Sequence, residues 1–251
     1  MTNHNTIDRL KAMKLTTMAE ALETQTQDAS YQTLSFEERL GILVDLEYTS
    51  RKNNRLNRII RQANFDQPNA SLTDINYSSG RQLDKGVITR LGSCQYIEEH
   101  HNLMILGATG AGKSYLACAF GMEACKQFYS VRYIRLPDLL NEIIIAKAEG
   151  TYQKYIKAIK KTQLLIIDEW ILVSLTETES RDLLEIVHAR HKRASTIFCS
   201  QFAPIGWHSK FSEGTIADAI LDRIVHDSHV IQIHSDTTND KSMREFYGLK
   251  K

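Results

Sequence analysis

One stretch limits the fold more than any other: the apolar run NLMIL at 102–106 passes directly into GATGAGKS at 107–114, and a helix-forming segment, YLACAF, follows. An apolar strand, a glycine-rich turn and a helix in immediate succession require a sheet whose strand ends open onto helix starts. The turn satisfies G-x-x-x-x-G-K-S/T in full. Gly107, Gly110 and Gly112 let backbone N–H groups face phosphate oxygens. Lys113 reaches the β- and γ-phosphates, and the Ser114 hydroxyl offers a ligand to Mg²⁺. The opening turn of the helix adds its positive end. Residues expected to line the nucleotide are therefore Gly107, Ala108, Thr109, Gly110, Ala111, Gly112, Lys113, Ser114 and Tyr115.

Downstream, short apolar strands alternate with helical stretches. After NLMIL come VRYIR (131–135), QLLIID (163–168), STIFCS (195–200) and HVIQIH (229–234). That alternation predicts an α/β fold with a five-stranded parallel sheet covered on both faces. Upstream, residues 1–65 read as helical. Ile7, Leu10, Met18 and Leu22 recur at near-helical spacing, as do Phe36, Leu40 and Leu43, and Ser35 with Glu38 forms a capping-box pattern. Residues 66–86 carry Pro68, Gly80 and Gly86 among polar residues, which is linker chemistry. The expected organisation is a helical domain over 1–65, a linker over 66–86 and a P-loop domain over 87–251.

LLIIDE at 164–169 is the second chemical element. A buried strand would deliver Asp168 and Glu169 at its carboxyl end, where parallel sheets collect ligands. Asp168 is placed to hold Mg²⁺ directly or through water. Glu169 is placed to polarise an attacking water as general base. The next strand closes with Ser200 and Gln201. These are either a polar strand end or a contact to the γ-phosphate or the water. Arg223, in DAILDRIVHD, either pairs with Asp222 or Asp227 or reaches a neighbouring subunit's γ-phosphate. Arg244, in DKSMREF, is a second cationic candidate.

Composition excludes several classes. Hydrophobic residues at 42% and charged residues at 24% fit a globular protein with a real core. No run approaches the ~20 apolar residues of a membrane span. Cys94, Cys118, Cys125 and Cys199 show no metal spacing, and reduced, buried thiols of a reducing cytoplasm are expected. A net charge of +1 gives no global basic field, so any nucleic-acid contact must be local. Two local stretches qualify. Arg51, Arg55 and Arg58, with Lys52 beside them, stand at i, i+4 and i+7 of one helix. Lys154, Lys157 and Lys160 lie in AKAEGTYQKYIKAIKK with Tyr152 and Tyr155 among them. Each is either a solvated helix face or a phosphate-tracking surface without a base-reading helix.

Taken in order, GATGAGKSYLACAF, LLIIDE, SLTETESRDLLEIVHAR, STIFCSQF, TIADAILDRIVHDSHVIQI and SMR resemble the IstB family, the ATPase helpers of two-gene bacterial insertion sequences. That family stands in the AAA+ superfamily beside the DnaC and DnaA initiator–loader group. IDRLKAMKLTTMAEAL and the segment from SFEERL to RQANF are similar to its helical N-terminal part. The resemblance implies Walker A residues at Lys113 and Ser114 and a Walker B pair at Asp168 and Glu169. It further implies a sensor at Gln201, an arginine finger at Arg223 and a second sensor at Arg244. It implies ATP with Mg²⁺, oligomers on duplex DNA and a partner transposase; a helicase loader of the DnaC kind is the alternative. Two departures stand out. Trp170 and Ile171 occupy the place of the family's usual Phe-Gly after the acids, and the run before Arg244 is longer than usual. The chain stops soon after Arg244, which leaves little or no room for a C-terminal lid.

Overall fold

In the computed structural model, residues 2–77 and 82–234 are described. The chain separates into two compact units, one up to Arg58 and one from Ile59 onward. The division falls inside one long helix.

The first unit contains α1 (Thr2–Ala12), α2 (Thr16–Gln27) and most of α3 (Phe36–Ala63). Ile7, Leu10 and Ala19 form its small core, with Leu15, Met18 and Leu22 packed against them. Two charged residues of α3 fasten the α1–α2 hairpin by its helix ends. Glu47 accepts the Met18 N–H in the first turn of α2 at 3.0 Å. Arg51 donates to the Lys14 carbonyl just past α1 at 2.8 Å and to Glu47 at 2.6 Å. Each charge sits at the helix end whose dipole favours it. The capping box forms as expected: Ser35 N–H donates to Glu38 at 2.7 Å and Glu38 N–H to Ser35 Oγ at 3.2 Å. The expected apolar face of α3 is only partly used. Leu43 is buried, whereas Phe36 and Leu40 remain exposed.

The second unit is built on β1 (Asn102–Gly107), β2 (Val131–Arg135), β3 (Leu164–Asp168), β4 (Ser195–Ser200) and β5 (Ser228–Ile233). All pairings are parallel, in the order β2-β3-β4-β1-β5. β1, β3 and β4 are buried along their whole length, which is why they read as continuous apolar runs rather than alternating ones. Two short helices, α4 (Lys85–Gly92) and α5 (Gln95–Glu98), precede β1. One face of the sheet receives α6 (Lys113–Lys126). On the other face, Met104, Leu106, Leu165, Ile167 and Phe198 meet apolar residues of α7 (Leu136–Ala148), α8 (Tyr152–Lys161), α9 (Glu177–Arg190) and α11 (Gly214–Val225). The short α10 (Pro204–His208) contributes Trp207.

Arg190 is a buried cation whose partners are neutral. Its guanidinium donates to the Ile159, Thr162 and Ser195 carbonyls and to Thr196 Oγ1. It thereby ties the end of α8 to the start of β4. Residues 66–77, expected as linker, belong to the second unit. Ala70 is buried. Tyr115 Oη bonds the Ser71 backbone N–H at 3.2 Å and its carbonyl at 3.4 Å.

Candidate nucleotide site

The loop after β1 has the backbone of a phosphate cradle. Gly110 and Gly112 hold φ of 79° and 94°, a region where a side chain would be strained. Gly107 is required for a different reason: a Cβ there would lie 2.8 Å from the Ile233 carbonyl oxygen of β5. Gly112 starts α6 without any side-chain cap. The first-turn N–H groups of a fourteen-residue helix are thus left for an external acceptor. By contrast, Thr176 and Glu179 close the start of α9 with a full capping box.

Lys113 Nζ spans this loop, donating to the Gly107 and Ala108 carbonyls at 2.8 Å each. Burial lowers its ammonium below the ordinary lysine value, against the opposing influence of Cys199 and Asp168. Ser114 follows on the first turn of α6. Tyr115, expected among the nucleotide contacts, directs its hydroxyl to Ser71 instead.

Asp168 ends β3, buried and hydrogen-bonded on both oxygens. Tyr133 Oη donates to Oδ2 at 2.8 Å, and the Glu169 N–H donates to Oδ1 at 2.8 Å. Burial and the adjacent carboxylate push the Tyr133 phenol well above its ordinary range, so it remains a donor. Glu169 then turns out of the strand at φ 55°. Arg135, which is paired in register with Asp168 across the sheet, holds it with Nε at 3.1 Å and an Nη at 3.0 Å. Neither Tyr133 nor Arg135 was singled out from VRYIR, which reads simply as an apolar strand. The only signal in the sequence is a charged residue closing that strand.

Beyond the acids, Trp170 is buried edge-on against Phe198, with ring centroids 4.6 Å apart. Ile171 is buried with φ 51°. A β-branched residue there is uncommon and costly; it occupies the position where the resemblance leads one to expect glycine.

Hard oxygen donors suit Mg²⁺. The Ser114 hydroxyl and the Asp168 carboxylate are of that kind, and Asp168 keeps a lone pair on each oxygen beyond its present bonds.

Among the polar residues closing β4, the two candidates diverge. Ser200 is buried, and its hydroxyl donates to the Trp170 carbonyl at 2.9 Å while accepting from Trp207 Nε1 at 3.0 Å and Phe202 N–H at 3.2 Å. It therefore serves packing, not phosphate. Gln201 is exposed at the strand's end. Arg223 lies on α11 and donates to the Ala219 carbonyl of its own helix. Asp222 pairs with His226 at 3.3 Å and Asp227 approaches His191 at 3.8 Å. Arg223 joins His188, His191, Arg193 and Asp222 around a cleft of about 250 Å³. Arg244 lies outside the described residues.

The basic stretches also divide. Arg51 is engaged inside the first unit, as described above, while Lys52, Arg55 and Arg58 are exposed along α3. On α8, Lys160 meets Glu185 at 3.2 Å, and Lys154 and Lys157 are exposed. Tyr152 and Tyr155 face inward. Tyr152 donates to Glu185 at 2.6 Å, and the Tyr155 ring lies 5.4 Å from the Arg132 guanidinium. The four cysteines are free and buried, and burial pushes the thiols of Cys94, Cys118 and Cys125 up to about 12. Among the described residues no helix is long and apolar enough to cross a membrane.

The chain is similar to known proteins in sequence and in fold. The model of the IstB-like ATP binding protein family matches residues 8–245. An insertion sequence ATP-binding protein of Sinorhizobium fredii, y4pL, is 38% identical over 245 residues, covering 98% of this chain and all of that one. The ATP-binding protein of insertion sequence IS1162 of Pseudomonas fluorescens is 41% identical, covering 80% of this chain and 87% of its own. In fold, AMPPCP-bound DnaA from Aquifex aeolicus is similar, with TM-score 0.61 at 20% identity over 72% of this chain and 63% of that one. The DnaC helicase loader is similar with TM-score 0.55 at 19% identity over 66% and 97%. The chain belongs to the family of IstB-like ATP-binding proteins, and is a P-loop ATPase of the AAA+ fold.

Proposed function

We propose that this chain uses ATP to assemble on duplex DNA and there recruits or stimulates a transposase. The observation that carries the catalytic part is the end of β3: Asp168 fixed by Tyr133, and Glu169 held out of the strand by Arg135. In this reading the α6 N-terminus and Lys113 bind the β- and γ-phosphates. Ser114 and Asp168 hold Mg²⁺, which when bound neutralises charge on the phosphates. Glu169 takes a proton from the attacking water. Gln201 contacts the γ-phosphate or that water. Arg223 acts on the nucleotide of a neighbouring subunit and so links hydrolysis to assembly. Its setting supports this: the cleft around it is rich in cationic and imidazole nitrogen. Arg244 is assigned the second sensor role.

DNA contact is assigned to Lys52, Arg55 and Arg58 on α3 and to Lys154 and Lys157 on α8, with Arg51 and Lys160 flanking. Such contacts would be made to phosphates, with little sequence preference. The transposase assignment is supported by the insertion sequence names of the relatives.

The test is ATP turnover alone, with random-sequence duplex and with single-stranded DNA. Strong stimulation by duplex that falls as salt rises is expected. Stimulation mainly by single strands would favour helicase loading instead. Two variants examine action in trans. Arg223→Ala should bind ATP yet not hydrolyse it, and adding Lys113→Ala subunits should restore turnover; full activity of Arg223→Ala alone would place the finger elsewhere.

A further inference from the structure

A second cluster of chemically active side chains lies at the opposite, amino-terminal end of the sheet. Glu99 follows α5, and His101 is the last residue before β1. His229 is the second residue of β5 and pairs in register with Leu103. Side chains two apart on a strand share a face. The β1–β5 register therefore makes His101 and His229 diagonal neighbours. Their rings pack edge-on, with centroids 5.5 Å apart and planes at 67°. His101 Nδ1 lies 3.4 Å from a Glu99 carboxylate oxygen. One ligand atom from each of the three residues falls within 4.8 Å of the other two.

We propose that Glu99, His101 and His229 form a transition-metal site, suited to Zn²⁺, that clamps the edge strand β5 to the start of β1. Two imidazoles and a carboxylate are the ligand chemistry of Zn²⁺ rather than Mg²⁺. Tetrahedral ligands about 2.0–2.1 Å from the ion stand roughly 3.3 Å apart. The Glu99–His101 pair already has that spacing, and exposed Glu99 can turn to close the rest. Both imidazoles are half-buried, which fixes their rings before the ion arrives. Among the described residues β5 has a strand neighbour on one side only, so a cross-link to the residue preceding β1 acts at the end of the described sheet. The site is independent of the nucleotide. A six-residue strand puts roughly 20 Å between the two ends of β1.

The experiment uses the full-length chain, untagged, stripped with chelator and free of nucleotide. Zn²⁺ is titrated calorimetrically, Co²⁺ by its visible absorption, and thermal unfolding is followed with each. The expected result is one tight Zn²⁺ per chain and a Tm rise of about 5 °C at saturating metal. Millimolar Mg²⁺ should give no comparable rise. His101→Ala and His229→Ala should each weaken Zn²⁺ by about 100-fold or more, and Glu99→Gln by about tenfold. Glu99→Gln alters an exposed side chain and keeps the test sound if a histidine variant fails to fold. Unchanged affinity in Glu99→Gln, unchanged affinity in the histidine variants, or no Zn²⁺ binding at micromolar concentration would each overturn the proposal.

Discussion

β3 and β4 are neighbours in the sheet, both buried, and each ends in two polar residues. Their ends do opposite work. At β3, Tyr133 and Arg135 hydrogen-bond Asp168 and Glu169 from the neighbouring strand and so orient the two acids. At β4, Ser200 turns inward and gives its hydroxyl to Trp170, Trp207 and Phe202. A polar residue at the carboxyl end of a parallel strand is thus not yet a ligand contact. What decides is whether the neighbouring elements take up its hydrogen-bonding capacity or only orient it. The contrast yields four expectations, ordered by their effect on turnover.

Glu169→Gln should show the largest effect. It removes the proposed general base and keeps the side chain's shape, so turnover should fall by about 10²–10⁴-fold. ATP binding should persist. The Arg135–Glu169 pair is partly exposed, at 48% and 36%, so its loss should cost at most about 1 kcal/mol of stability. Single-turnover kinetics and a melting curve measure the two effects separately. Undiminished turnover would remove Glu169 from the chemistry and leave β3 no different from β4.

Arg135→Ala comes second. Arg135 holds Glu169, the proposed base, so its loss should lower kcat by about tenfold through misplacement of Glu169, with KM for ATP little changed. In a Glu169→Gln background the same substitution should have almost no further effect, because the group it positions is gone. An additive loss in the double variant would show that Arg135 acts on the nucleotide directly.

Gln201→Ala separates Ser200, which closes β4, from the residue that follows it. The side chain is exposed, so folding stability should not change. Loss of one hydrogen bond to the phosphate or the water should reduce turnover about fivefold. Turnover equal to that of the unmodified protein would make Gln201 a plain polar strand end.

Much of this architecture could be read from residue order, because buried parallel strands are written as apolar runs and the phosphate loop follows one of them. NLMIL, VRYIR and STIFCS became strands at or within one residue of their expected limits. The supports of the site were not legible in the same way. Tyr133 and Arg135 acquire meaning only from the pairing of β2 with β3, which places Arg135 opposite Asp168. Residues 66–77 carry linker composition, yet a few contacts such as Tyr115 to Ser71 seat them, and composition does not report contacts between distant residues. Ile171 is the reverse case. Its departure from the expected glycine was visible in sequence, but its meaning came from the backbone. The chain adopts φ 51° there with a buried β-branched side chain, so the turn after the acids is kept and its strain is offset by core packing.

Ser200→Ala should have the smallest effect on turnover and a clear effect on folding. The hydroxyl is the donor to the Trp170 carbonyl and an acceptor for the Phe202 N–H. Removing it leaves both without that partner in a buried setting, a cost of about 1–3 kcal/mol. Trp207 Nε1 is spared the full penalty because it also donates to the Phe202 carbonyl at 2.8 Å. For a chain of this size the loss corresponds to a Tm decrease of roughly 3–8 °C, while kcat at a temperature well below the transition should stay within about twofold. The opposite pattern, an unchanged Tm with turnover lowered as far as in Arg135→Ala, would mean that Ser200 leaves its Trp170 and Trp207 partners when nucleotide binds. The two strand ends would then belong to one catalytic surface, and the division between support and chemistry would lie between residues of β2 and β3 alone.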